Sequence, residues 1–259
     1  METKIHSTAI IGKDVSLDED VAIGPYCVIH DNVRIKKRTK LVSHVVIEGR
    51  TEVGEECTIY PFTCIGLPPQ DLKYKNEETG VIIGNRNTIR EYATIHRASV
   101  GGEGNTFIGD GNFLMAYIHI AHDCHIGSHV IMANAATLAG HVTVEDYAYI
   151  GGLVAVHQFT RIGAYVMVGG FSGIGQDIPP FTIASGARAR LFGINIVGLK
   201  RHGFPDATIN DLKKAYKILF REKRTLKDAI EKIEAEFPRT EEIARLITFI
   251  EKNRRGICR

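Results

Sequence analysis

The 259-residue sequence predicts a parallel β-helix built from six-residue rungs, followed by a small helical segment. Three observations carry this expectation: aliphatic residues, nearly all branched, recur at every sixth position, glycine often follows them, and small side chains recur four positions after them. Stepping by six from Ile5 reaches Ile11, Leu17, Ile23, Ile29, Ile35, Leu41, Ile47, Val53, Ile59 and Ile65. The series resumes at Ile83, Ile89 and Ile95, then runs unbroken from Ile108 to Ile174, giving 26 aliphatic residues at 26 positions. A period of six fits neither the 3.6-residue helix nor the two-residue alternation of an open sheet.

Each hexad is read as one flat strand and one corner of a triangular prism. The large aliphatic residue points inward, a small residue such as Val21, Cys27, Val33 or Thr39 fills the angle, and glycine (Gly12, Gly24, Gly54) eases the turn. Three hexads make a coil. Coils stack at roughly 4.8 Å, so nearly nine of them make a prism about 40 Å tall.

The first interruption, 67–80, holds Pro68, Pro69, Gln70, Asp71, Leu72, Lys73 and Tyr74, and reads as a loop projecting from the prism. Ile65 and Ile83 are separated by three whole hexads, so the phase is kept across it. The second, near Ser99–Gly104, adds one residue beyond two hexads and contains Gly101, Gly102 and Gly104. Either could be a tolerated insertion or a functional loop on a rigid scaffold. After Pro179 and Pro180 the hexad signal gives way to helical patterning: Asn210–Lys223, then Leu226–Phe237 behind a Thr225/Asp228 cap, then a helix from Thr240 to about Arg254. The expected organisation is a mainly β unit over 1–190 and a C-terminal α-helical unit over 191–259.

Composition narrows the setting. No apolar stretch is long enough to span a bilayer, and the N-terminal residues lack the apolar core of a secretion signal. Five cysteines, none in a C-x-x-C pattern, argue against a disulfide framework or zinc ribbon and fit a reducing cytoplasm. Net charge is +2, but residues 1–199 carry 16 basic and 20 acidic side chains while 200–259 carry 16 and 10. Such a tail suits an acidic protein, a nucleic acid or an anionic surface, and charge alone does not choose.

Chemistry is sought in departures from the repeat. The densest is His119-Ile120-Ala121-His122-Asp123-Cys124-His125, joined by His129, His141 and His157. One reading is metal binding by His119, His122 and His125 with Cys124. Register opposes it, because Ile120 and Cys124 point inward and His119 and His125 fall on different sides; no metal is expected. A second reading is general-base catalysis by His122, with Asp123 fixing its tautomer and Gly140, three hexads on, offering an N–H to an oxyanion. The third is plain surface histidines. No nucleophile elbow, P-loop or dinucleotide fingerprint is present, so direct transfer between two substrates is favoured and no cofactor is expected.

Several motifs, in order along the whole chain, resemble one family of hexapeptide transferases. They are Gln70-Asp71-Leu72-Lys73, Ile89-Arg90-Glu91, Thr94-Ile95-His96-Arg97, His119–Cys124, Ala139-Gly140-His141, Val156-His157-Gln158-Phe159 and Gly193–Arg201. The chain is similar here to the UDP-N-acetylglucosamine O-acyltransferases of lipid A synthesis. The resemblance implies a left-handed β-helix and transfer of a (3R)-hydroxyacyl group from acyl carrier protein to the sugar 3-hydroxyl by a homotrimer. His122 would be the base, Asp123 its orienting partner and Gly140 the oxyanion donor. Gln70, Asp71, Lys73, His119 and His141 would hold the sugar, and His157, Gln158, Asn195 and Arg201 the nucleotide. A glycine at Gly170 would leave the acyl groove long. Acyl carrier protein is acidic, which makes Lys200, Arg201, Lys213, Lys214, Lys217, Arg221, Lys223 and Arg224 candidate docking charges, with solvated helix faces as the alternative. Val197 and His202 depart from an acidic residue and an arginine common in the family. A 3-amino sugar acceptor, another hexapeptide acyltransferase, a non-catalytic scaffold and a trimeric metalloenzyme of the carbonic anhydrase kind are the rival readings. The N-acyltransferase of the same pathway carries a separate N-terminal domain, for which repeats beginning at Ile5 leave no room.

Overall fold

The computed structural model describes residues 3–253 and 255–259. Twenty-six short strands, β1 (Lys4–Ile5) to β26 (Gly173–Ile174), each carry one of the 26 hexad aliphatics. They wind into a left-handed parallel β-helix with three faces. Face A holds β1 and every third strand after it, face B follows from β2 (Ile10–Ile11), and face C from β3 (Ser16–Leu17). Stacked partners lie three hexads apart, as Ile5 with Ile23 and Ile11 with Ile29. From Ile29 to Val168 nearly every hexad aliphatic is sealed from solvent, and the residue four positions later, such as Val21, Cys27, Val45 or Cys57, is sealed with it. Each buried aliphatic is worth about 1.5–3 kcal/mol, so the interior column, not any single rung, holds the fold.

The corners correct one expectation. The left-handed backbone lies three positions after the aliphatic and is held, Gly111 apart, by non-glycine residues, among them Asp20, Tyr26, Asn32 and Asp123 at φ 58–65°. Most glycines right after the aliphatic serve close approach instead, Gly66 alone among those in the hexad series having positive φ: a Cβ on Gly24 would stand 1.7 Å from the Val42 carbonyl oxygen of the next coil.

Both interruptions leave from the edge between faces B and C. The first joins β11 (Cys64–Leu67) on face B to β12 (Gly80–Ile83) on face C, so Ile65 and Ile83 keep phase but are one face apart. Partners across that coil are therefore five hexads apart instead of three, as Ile59 with Ile89. The second joins β14 (Thr94–His96) to β15 (Asn105–Ile108), again from B to C.

The far end is closed by a hairpin that the hexad pattern does not announce. β27 (Thr182–Ser185) continues face A and β28 (Arg190–Ile194) folds back antiparallel onto it, so the junction expected at 190/191 falls at the start of a strand. Four helices follow: α1 (Ile196–Arg201), α2 (Asp206–Phe220), α3 (Leu226–Glu236) and α4 (Glu241–Glu251). α1 has no counterpart in the sequence reading. α2 starts four residues before expectation, because Pro205 sets its N-terminus ahead of the polar Asp206-Ala207-Thr208. Thr225 and Thr240 cap α3 and α4 as the sequence suggests, accepting from the Asp228 and Ile243 N–H groups. Arg254, the expected end of the last helix, lies outside the described residues. The helices share one core with the prism through Ile194, Leu199, Leu212 and Ile250. Arg161 fastens them, donating to the Phe249 and Lys252 carbonyls at 3.2 and 3.1 Å with its guanidinium 4.0 Å over the Phe249 ring.

Candidate active site

The edge between faces B and C collects most of the polar departures from the repeat. β17 (His119–Ile120) ends on face B and β18 (His125–Ile126) begins on face C. Ile120 and Cys124 are fully buried inside the prism, which turns His122 and Asp123 to the outer side of the corner. One coil up, after β20 (Thr137–Leu138), come Gly140 and His141; one coil further, after β23 (Ala155–Val156), come His157, Gln158 and Phe159. The two projecting loops stand on the coils below.

His122 Nδ1 lies 2.8 Å from Asp123 Oδ2. An ionised carboxylate accepts only, so Nδ1 carries the proton and Nε2 is left as a free base. Asp123 is fixed in turn: its Oδ2 accepts from the Ser99 N–H at 3.0 Å, and its own N–H donates to Thr106 Oγ1 at 3.0 Å. Asp123 Oδ1 is buried and makes no hydrogen bond among the described residues, and a Cβ on Gly102 would stand 1.9 Å from it. Gly102 lets the second loop close over the carboxylate.

Gly140 covers the imidazole. A Cβ there would come within 2.5 Å of His122 Cε1 and 2.6 Å of Nε2, and the His141 N–H donates to the His122 carbonyl at 3.0 Å. The flanking Ala139 and His141 N–H groups are both bonded, whereas the Gly140 N–H donates to nothing among the described residues. A free base thus sits against a free N–H donor, suited to take a proton from an attacking hydroxyl and to receive an oxyanion. Cys124 does not compete as a nucleophile, because burial pushes its thiol up to about 12.

The neighbouring histidines are held neutral. Burial, with His119 and His122 nearby, pushes His96 down to about 4. Burial and then His122 lower His119, whose Nδ1 lies 2.7 Å from Thr94 Oγ1 and whose ring meets His96 edge-on at 5.0 Å. Burial also lowers His141, partly opposed by Asp123. Depressed histidines bind fewer protons folded than unfolded, so stability is lost on acidification. For His96 the loss begins near the unfolded value of about 6.5 and levels off below about 4, amounting to about 3 kcal/mol. The melting temperature is expected to fall over this window, and a stably folded His96→Gln protein to show a flatter profile.

On the first loop, the Asp71 carboxylate accepts from Ser99 Oγ at 2.6 Å and from the Lys73 N–H at 3.0 Å, and these bonds, Ser99 first, lower its pKa. Ser99, placed by the sequence in the second interruption but given no role there, therefore ties Asp71 to Asp123. Gln70 and Lys73 are exposed beside it. His157 and Gln158 lie on the same edge, where Arg255, also missed, donates from Nη2 to His157 Nδ1 at 3.1 Å.

Other expected residues are not brought here. Asn195 and Arg201 line a cavity of about 750 Å³ on face A beside the edge between C and A, with Val197, His202, Tyr147 and Tyr165. Asn195 also has a structural use: it caps α1 through the Gly198 N–H and donates to the Tyr165 carbonyl at 2.9 Å. Gly170 is exposed at the third edge, between A and B. The metal set His119, His122, His125 is not assembled, since His119 is on face B and His125 on face C. His122, Asp123 and His141 do bring ligand atoms within 4.8 Å of one another.

A family model described as UDP N-acetylglucosamine O-acyltransferase, domain 2, matches residues 177–258, and one for bacterial transferase hexapeptide repeats matches residues 105–140. The acyl-[acyl-carrier-protein]–UDP-N-acetylglucosamine O-acyltransferase of Thermodesulfovibrio yellowstonii is 68% identical over 256 residues, 99% of each chain. That of Trichlorobacter lovleyi is 52% identical over 258 residues, covering 98% of this chain and 99% of its own. The Francisella novicida UDP-N-acetylglucosamine acyltransferase structure superposes with a TM-score of 0.96 at 37% identity, over 98% of this chain and 94% of that one.

Proposed function

The chain belongs to the UDP-N-acetylglucosamine O-acyltransferase family, and from that premise we propose that it transfers a (3R)-hydroxyacyl chain from acyl carrier protein to the 3-hydroxyl of UDP-N-acetylglucosamine, the first step of lipid A biosynthesis. The observation that carries the mechanism is the His122–Asp123 pair beneath the unbonded Gly140 N–H. His122 Nε2 removes the hydroxyl proton as the oxygen attacks the thioester carbonyl. The Gly140 N–H receives the oxyanion, and Asp123 stabilises the imidazolium. That attack forms the ester C–O bond; collapse of the oxyanion then restores the carbonyl, breaks the C–S bond, and returns the proton from His122 to the departing thiolate.

Asp71 and Lys73, with Gln70, His119 and His141, hold the sugar in this reading. His157 and Gln158 take the nucleotide from one edge of the prism, and Asn195 and Arg201 from another. One copy does not bring those two edges together, which speaks for a homotrimer whose sites lie between neighbours. Gly170 leaves room for the acyl chain. Among the proposed docking charges for acyl carrier protein, Lys200, Lys214 and Arg224 are paired with Asp206, Asp211 and Glu222, and Arg221 packs on Tyr216. Arg201, Lys213, Lys217 and Lys223 are exposed and make no ion pair among the described residues, and are the stronger candidates. No helix among the described residues is long and apolar enough to cross a membrane. We place the reaction in the cytoplasm, in keeping with five free thiols.

The test is transfer of a hydroxyacyl chain from acyl carrier protein to UDP-N-acetylglucosamine without added metal. Ester product supports the reading; acylation of only the 3-amino sugar nucleotide moves the acceptor, and no transfer to either removes the function. Ser99→Ala is expected to raise KM for the UDP-sugar roughly three- to tenfold at nearly constant kcat, because it frees Asp71 but keeps the backbone N–H on Asp123. Ser99→Thr, which keeps the hydroxyl, should restore KM.

A further inference from the structure

Arg97, the last residue of the Thr94–Arg97 motif, stands apart from the reacting groups, yet its side chain is only 15% exposed, deep for an arginine. It spans three acceptors. Nη1 donates to the Gly66 carbonyl at 2.9 Å and to Glu48 Oε1 at 3.2 Å, and Nε donates to Tyr74 Oη at 2.9 Å. The guanidinium carbon also lies 5.6 Å from the centre of the Tyr74 ring. Gly49 makes room for it, since a Cβ there would stand 2.8 Å from Nη1. Glu48 and Gly66 belong to coils of the prism, whereas Tyr74 lies in the middle of the first projecting loop. The Tyr74 hydroxyl donates in turn to the Glu77 carbonyl at 2.9 Å, so it accepts from the prism and donates within the loop.

The short run Arg97-Ala98-Ser99, leaving β14, is the footing of the whole loop. At the first foot the Arg97 N–H donates to the Leu67 carbonyl at 3.2 Å. At the second, the Ala98 carbonyl accepts from Thr79 Oγ1 at 2.5 Å and the Ala98 N–H donates to the Gly80 carbonyl at 3.3 Å. Between the feet, two hydrogen bonds reach the loop from the prism among the described residues: Ser99 on Asp71, and Arg97 on Tyr74. Asp71 and Lys73 stand just before Tyr74, and Leu72 between them is fully exposed and adds no packing. The tip that carries the sugar-binding pair is therefore set by those two ties.

We propose that Arg97 is a positioning residue for the acceptor, which by fastening Tyr74 keeps Asp71 and Lys73 in the geometry that receives the sugar. This rests on the reading above that those two residues hold it. A loosened loop is competent to bind for only a fraction of the time, and apparent affinity falls by that fraction. Bound sugar nucleotide selects the fastened loop, so turnover at saturation is kept. Tyr74→Phe removes one hydroxyl and leaves Arg97 on Glu48 and Gly66. It should raise KM for UDP-N-acetylglucosamine roughly five- to twentyfold, with kcat and the KM for the acyl carrier protein donor within about twofold of wild type. Arg97→Lys, which loses the planar fork, should raise the same KM, and should add little to it in the Tyr74→Phe background. Trypsin reads the loop directly, because Lys73 and Lys75 are exposed on either side of Tyr74. Cleavage after them should be faster in both variants and slow again under saturating UDP-N-acetylglucosamine. Unchanged KM in variants of an enzyme that transfers overturns this role and leaves the function standing, as does a raised KM with unaltered trypsin resistance. A wild type that acylates no sugar nucleotide removes the function, and this role with it.

Discussion

His122→Ala should lower kcat for acyl transfer roughly 10³-fold, within the 10²–10⁴ span of a positioned general base, with KM for the sugar nucleotide changed far less. The substitution removes the imidazole that is hydrogen-bonded to the Asp123 carboxylate with its other nitrogen open, whereas among the described residues of the corner His96 is held down to about 4, and His119 and His141 lie below their ordinary value. The loss should not come from unfolding. The rung is held by Ile120 and Cys124 inside the prism, and Asp123 keeps its bonds to the Ser99 N–H and Thr106 Oγ1. Asp123→Asn should cost less, because it perturbs the tautomer while leaving the ring in place. A folded His122→Ala protein within tenfold of wild type would put the base elsewhere.

The fold was legible because each rung repeats one decision. An aliphatic every six residues and a small residue four later specify burial at each turn of the chain, and 26 consistent rungs outweigh the two interruptions. The closing hairpin was hidden, because β27 and β28 leave the period and their partner is set by antiparallel return rather than by stacking. The corner glycines were misread for a related reason. Sequence shows that glycine recurs, but whether it supplies a left-handed turn or clearance depends on the distance to the next coil.

The site was legible to the extent that counting in whole coils reaches. Gly140 stacks over His122 because regular coils separate them. Ser99 escaped because it sits in an insertion, where the counting fails and only three-dimensional closure brings it to Asp71 and Asp123. Arg255 escaped because its approach to His157 depends on how the last helix returns to the prism. Asn195 carries two demands at once, capping α1 and facing the cavity, and composition cannot separate them.

Gly140→Ala should rival His122→Ala in effect, lowering kcat about 10²–10³-fold, although it adds one methyl group and removes no hydrogen-bonding atom. The backbone there is not in the left-handed region, so alanine is not strained for conformational reasons. The obstacle is the imidazole, with three ring atoms within 3.1 Å of the new carbon. Nδ1 is pinned to Asp123 at 2.8 Å, so the ring can yield only by weakening that bond or by swinging Nε2 away from the reacting hydroxyl. Either movement would also separate the proposed base from the Gly140 N–H beside it. The double variant divides the two duties of this residue. With His122 replaced by alanine the ring is gone, so a glycine that serves by making room should add almost no further loss, and the two effects should be strongly non-additive. A double variant that falls a further hundredfold below His122→Ala would instead mean that the methyl displaces the oxyanion donor itself, because no ring remains for it to disturb.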